Sequence, residues 1–258
     1  MRRLSNVAAP VALLVFLLAI WQGAVWLFDV PHYILPAPSR IADAFISHFP
    51  SLLHHAAATL AEIVLGLVLG GVGGFALAVA VFYSPVLERA LYPLIVASQM
   101  IPVFAIAPLL IVWMGYGLWP KATVAALIGF FPIVVNASDG LRSPNEESVE
   151  LFRSLGATRG QIFAKLRLPA SLPTLFAGMK VAVTLCVVGA TIGEWVGAHR
   201  GLGYLMLQSN ALLRVDLVFA AILMLSILGL LLFGTVRIIE RHALRWRDTD
   251  GLTGRGPE

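Results

Sequence analysis

Six long apolar runs constrain this chain more than any other feature. They fall at about residues 11–28, 63–83, 90–114, 122–138, 178–196 and 217–237. A helix of about 20 apolar residues crosses the hydrocarbon core of a bilayer. The chain therefore reads as an all-α integral membrane protein with six transmembrane helices. A single transmembrane domain is expected over residues 1–248, followed by a disordered tail at 249–258. Composition agrees: 59% of the residues are hydrophobic and only 12% are charged, against about 25% charged in soluble domains. The first run, Val11 to Phe28, exceeds the roughly 7–15 residues of a signal-peptide core. It ends in Trp26-Leu27-Phe28 without a clean Ala-x-Ala site, so it reads as an uncleaved first span.

The basic residues set the orientation. With the N-terminus inside, 14 of the 18 lysines and arginines are cytoplasmic, and only Arg40, Lys121, Arg200 and Arg214 face outside. This positive-inside bias puts both termini in the cytoplasm. It also accounts for the net charge of +4 without a nucleic-acid partner, since no basic patch interleaves with exposed aromatics.

The runs are not uniform. Gly66, Gly70 and Gly74 repeat every four residues, which lets helices approach closely in lipid. A face packed within the subunit is expected there, in preference to a dimer seam. Pro93, Pro102 and Pro108 interrupt the third run. Such breaks need a neighbour or a cavity to satisfy the freed backbone groups, so Gln99 and Pro102 are candidates for a translocation path. Kinked packing is the plainer alternative. Asn136, near the end of the fourth run, and Glu194, near the end of the fifth, are further path candidates. A carboxylate at such depth marks function by default, although Glu194 could equally sit at the water boundary and pair with Arg200. Lys180 is expected to snorkel to the interface. His32, His48, His54 and His55 lack metal-ligand spacing. The lone Cys186 supports no disulfide or cysteine metal site within the chain.

Ser143 to Pro173 is the longest polar interruption. Ser143, Pro144 and Glu146 suggest a capped helix start. Gly156 suits a left-handed stop. Thr158 and Gln161 form a second capping box, and Pro169 is expected to close the second helix. Leu151, Phe152 and Leu155 should share one face of the first helix. Ile162, Phe163 and Leu166 should share one face of the second. A self-packed surface loop and a docking element for a soluble partner both fit this pattern.

The spacing of this loop resembles the signature of ABC-importer permeases, in which Glu-Ala-Ala, three residues, Gly, nine residues and Ile-x-Leu-Pro follow in order. Here Glu150-Leu151-Phe152, three residues, Gly156-Ala157, and Leu166-Arg167-Leu168-Pro169 keep that spacing. Leu-Phe replaces Ala-Ala and Leu166 replaces Ile. The resemblance runs from Leu35 to about Arg245. Leu35-Pro36-Ala37-Pro38 is similar to the opening of the sulfonate, nitrate and taurine class. Other segments look closer to permeases for pyrimidine precursors of thiamine.

The resemblance implies a type I ABC importer-like permease in the bacterial inner membrane. It implies a homodimer of permease subunits, two cytoplasmic ATPase subunits and an extracytoplasmic substrate-binding protein. Glu150, Leu151, Phe152, Leu155, Gly156, Ala157, Leu166, Leu168 and Pro169 would couple the permease to the ATPase. ATP and Mg would be used by that partner, with no cofactor or metal bound by this chain. Consistently, no phosphate-cradling Gly-x-x-x-x-Gly-Lys loop occurs, and neither does a His-Glu-x-x-His or Gly-x-Ser-x-Gly motif. A stand-alone ion-coupled carrier is the alternative. A membrane-embedded enzyme using Asp139, Glu194 and a histidine is disfavoured, because those residues fall at opposite membrane faces.

Overall fold

In a computed structural model, the backbone is described for residues 2–248 and side chains for 9–246. The expected tail at 249–258, Arg255 included, lies outside the described residues. Every regular element among the described residues is helical. In order these are α1 (Arg2–Leu27), α2 (Pro38–Ser47), α3 (Phe49–Tyr83), α4 (Pro85–Ser98), α5 (Val103–Met114) and α6 (Leu118–Arg142). Then come α7 (Glu146–Ser154), α8 (Arg159–Ile162), a π-helical turn (Phe163–Arg167), α9 (Leu168–Gly197), α10 (Leu202–Ala211), α11 (Val215–Ala243) and α12 (Arg245–Asp248).

Five helical segments are long and apolar enough to cross a membrane. The sixth span is different. The expected third span at 90–114 is two helices, α4 and α5, bent by 99° across Gln99–Pro102. Pro102 is the residue that caps α5, and its missing N–H and fixed φ prevent α4 from continuing. Pro93 and Pro108, by contrast, sit within helices.

The contacts divide the chain into two compact units. One comprises residues 1–58 and 199–226. In it Trp21 packs on Phe219 at 5.7 Å between ring centroids, and Gln22 accepts from the Ser39 amide. The His55 ring is used structurally. Its Nδ1 accepts from the Gly201 N–H at 3.0 Å and the ring stacks on Tyr204. α10 is entered through Gly201 at φ +132°. Most of Val11–Ile20 is exposed apolar surface, as befits a helix facing lipid or another chain.

The other unit comprises residues 59–198 and, among the described residues, 227–248. Its centre is the pairing of α6 with α9. Gly66, Gly70 and Gly74 of α3 lie against α6, so the stripe is a packing face within the subunit. A Cβ on Gly66 would meet the Ala125 Cβ at 2.6 Å, and one on Gly74 would meet the Phe130 carbonyl at 3.0 Å. Gly71 and Gly73, off the stripe, have open space around them. Ile63, Ala125, Cys186 and Ala190 form one buried cluster between α3, α6 and α9.

Candidate functional site

The Ser143–Pro173 segment forms as two helices and a turn, with three changes in detail. Ser143 does not start α7; it ends α6 in right-handed conformation. Asn145 takes the cap instead, its side chain accepting from the Ser148 N–H at 3.2 Å. Asn caps a helix as well as Ser does, and Asn145 directly precedes α7. Gly156 sits at φ +77°, the left-handed stop expected. Thr158 and Gln161 close the capping box from both sides. Pro169 does not end the second helix. It lies just after the π turn, at the start of α9, and the helical path continues through it.

As a result α8, the π turn and α9 run on as one 39-residue helical segment, Arg159–Gly197.

The apolar residues of α7 do not share a single buried face. Val149 is the buried one, Phe152 is half-buried, and Leu151 and Leu155 are 59% and 77% exposed. Exposed leucines four apart form one ridge on the helix. Gly156 and Glu150 beside them are also exposed, and Ala157 is half-buried. Leu166, Leu168 and Pro169 are half-buried at the root of α9. The signature residues therefore split into a projecting ridge and a base that joins it to the membrane helix.

The path candidates do not converge. Gln99 and Pro102 are exposed at the bend, with Met100 and Ile101. Asn136 is half-buried, and its amide donates to the Pro132 carbonyl at 2.8 Å, next to Gly178 of α9. Glu194 lies 16 residues further along α9, about 24 Å at 1.5 Å per residue. It is 1% exposed, so it lies off the surface of this chain.

Glu194 belongs instead to a polar node between three helices. Thr59 of α3 donates its hydroxyl to Glu194 Oε1 at 2.6 Å. One turn along α3, Glu62 pairs with Lys121 of α6. The carboxyls of Glu62 and Glu194 act on one another electrostatically, so two buried carboxyls share this node with one ammonium, which pairs with Glu62. Thr59, Glu62, Lys121 and Glu194 are all at most 6% exposed.

Two members of this node escape the sequence reading. Lys121 is expected in an outward-facing loop, yet it lies in the first turn of α6 and is buried. Glu62 lies one residue before the expected second span, so the chosen boundary hides a second buried carboxylate beside Glu194. The available signal was spacing. Thr59 and Glu62 are three apart, hence on one helix face, at the mouth of an apolar run. Lys180, for its part, does not snorkel alone. Its Nζ is 2.8 and 2.9 Å from the two carboxylate oxygens of Glu240, tying α9 to α11.

With this geometry in view, the comparisons with known proteins assign a class. Residues 63–245 match the family model described as binding-protein-dependent transport system inner membrane component. The chain belongs to that family. It is 42% identical over 248 residues to the formylaminopyrimidine transport permease protein ThiX of Halalkalibacterium halodurans, covering 96% of this chain and 99% of that one. It is 38% identical to the riboflavin transport system permease protein RibX of Chloroflexus aurantiacus, covering 92% of this chain and 89% of that one. Its fold is similar to inward-facing structures of the MetNI methionine ABC transporter. There the TM-score is 0.67 at 22% identity, over 76% of this chain and 98% of the matched chain. This is a multi-span permease subunit of a binding-protein-dependent ABC importer.

Proposed function

We propose that two copies of this chain form the membrane path of an inner-membrane importer powered by two separate cytoplasmic ATPase subunits. An extracytoplasmic binding protein would deliver the solute. Both termini would lie in the cytoplasm, as the basic-residue bias suggests. ATP and Mg would be handled by the partner, and this chain would bind no cofactor.

The observation that carries the coupling assignment is the exposed Leu151/Leu155 ridge ending at the left-handed Gly156. Two large apolar side chains on a short polar helix have no reason to face water unless a partner covers them. The base of the ridge feeds directly into α9. Motion of α7 and α8 would pass along the 39-residue helical segment to Glu194 at its far end. Whatever state the ATPase favours is then imposed on the node through differential contacts, which are all that can shift such an equilibrium.

The exposed bend at Gln99 and Pro102 is our leading segment for the solute path. Asn136 would serve at the cytoplasmic half, and Glu194 would act from behind the path by holding α3 against α9. The relatives named for formylaminopyrimidine and riboflavin transport favour a small nitrogen heterocycle of the vitamin-precursor type over a sulfonate, nitrate or taurine. No cationic cluster accompanies the path candidates, which supports a substrate without a strong negative charge.

The test is co-expression with the ATPase and binding protein encoded beside it. Gly156→Pro and Glu150→Lys should insert normally yet lose the ATPase complex and binding-protein-stimulated hydrolysis. If both assemble and transport like wild type, the coupling assignment falls and a stand-alone ion-coupled carrier becomes the better reading.

A further inference from the structure

We propose that a pocket between α7, the α8–π-turn segment and the last turn of α3 binds the phosphate of an anionic phospholipid headgroup. This rests on the orientation proposed above.

Three guanidiniums, Arg153, Arg159 and Arg167, surround a cavity of about 200 Å³. At about 30 Å³ per water that space holds several waters or a phosphate group. Phe82, Tyr83 and Phe163 line it too. Phe163 lies 6.2 Å from Phe82 and 5.5 Å from Tyr83 between ring centroids. Arg167 is fixed in place: it donates to the Leu141 carbonyl at 2.9 Å and its guanidinium sits 4.9 Å above the Phe82 ring.

Arg153 and Arg159 are not committed. Among the described residues neither has a carboxylate within 4.0 Å. Glu146 and Glu150 line the adjoining cleft, together with Arg153 and Arg167, but do not pair with them. Three like charges around one cavity repel until an anion joins them. Guanidinium forks match phosphate oxygens better than any other side chain does.

The pocket is separate from the coupling ridge. Val149 and Arg153, which line it, are four apart on α7. Leu151 and Leu155 are each displaced by two residues, about 200° around the helix. One side of α7 therefore serves the ridge and the other serves the pocket.

Position selects the source of the phosphate. Tyr83 is the last residue of an apolar 35-residue helix and is half exposed, as expected of an aromatic at the headgroup level. Basic pockets at the cytoplasmic ends of membrane helices hold anionic headgroups. A lipid phosphate can enter there with its acyl chains still in the bilayer. A bound lipid would brace α7 against α3 and set the angle of the ridge.

The experiment compares wild type, Arg159→Gln and Arg153→Gln/Arg159→Gln in nanodiscs of phosphatidylcholine with or without phosphatidylglycerol. Native mass spectrometry reads lipid retention. Wild type should retain phosphatidylglycerol over phosphatidylcholine, and the double variant should bind it about tenfold or more weakly, the loss of one good charged contact. Arg159→Gln should fall between. All three should show the same melting temperature in lipid-free detergent. Equal retention by wild type and the double variant overturns the proposal. Inorganic phosphate that saturates the pocket at lower concentration than the lipid headgroup overturns the lipid source. Ser154→Cys, probed with an impermeant maleimide on vesicles of each orientation, separates the two readings. Labelling from the cytoplasmic side with no lipid selectivity sinks the pocket alone; labelling only from outside sinks the orientation beneath it.

Discussion

The two ends of the α9 segment are built on opposite rules. At one end Glu62, Lys121, Thr59 and Glu194 are polar groups buried among apolar helices. At the other, Leu151 and Leu155 are apolar groups exposed on a polar helix. Each inverts what burial alone would choose, and each for its own reason. The node is closed within the chain, so its charges must answer one another. The ridge is exposed on this chain, as the proposed docking of an ATPase subunit requires. Removing one partner from the node should therefore cost stability, and altering the ridge should cost coupling.

That contrast can be broken by substitution, starting at the node. Lys121→Met leaves two buried carboxyls without their cation, and should cost about 3–5 kcal/mol in thermal or denaturant unfolding of the purified permease. Glu62→Leu/Lys121→Met removes the pair together and should recover most of that loss. If the single and double variants are equally unstable, the node is not held by its charge pairing. Next comes Gly66→Leu, which drives a side chain into Ala125 and the Ala122 carbonyl. Overpacking of this kind costs about 1–3 kcal/mol. The same change at Gly71, where a Cβ meets nothing, should leave the melting temperature unchanged. Gly156→Ala places a Cβ at φ +77° and should cost about 1–2 kcal/mol, read as local loss of amide protection in α7 and not as global unfolding. Smallest of all, Leu151→Ser/Leu155→Ser should shift stability by no more than about 0.5 kcal/mol. Measurable unfolding by that pair would mean the ridge is part of the core.

Much of this architecture is legible in the amino-acid sequence because lipid imposes one rule on every span. Run length finds the helices, the spacing of Gly66, Gly70 and Gly74 finds a packing face, and Thr158 with Gln161 finds a helix start. Gly156 is readable since few residues other than glycine reach φ +77°. The failures share a cause. Lys121 sits in the first turn of α6 and Glu62 at the edge of an apolar run inside α3, where a run-length boundary moved by one or two residues hides a buried charge. Pro169 looks like a stop, but the helical path continues through it. For Leu151 and Leu155 the sequence leaves a self-packed loop and a docking face both open, because periodicity reports which residues share a face and not whether that face is covered. Glu194 is recognisable as unusual from depth alone, while its partners Thr59 and Glu62, 135 and 132 positions away in the chain, are brought to it only by tertiary packing.

The most direct test pairs one variant from each end in a single assay. Wild type, Leu151→Ser/Leu155→Ser and Glu62→Leu/Lys121→Met are reconstituted with the cognate ATPase and binding protein, and binding-protein-stimulated ATP hydrolysis is measured beside the permease melting temperature. The account predicts that the ridge variant keeps its wild-type melting temperature and loses stimulated hydrolysis, because the ridge is where the motor holds the permease. A ridge variant that hydrolyses and assembles like wild type would contradict it.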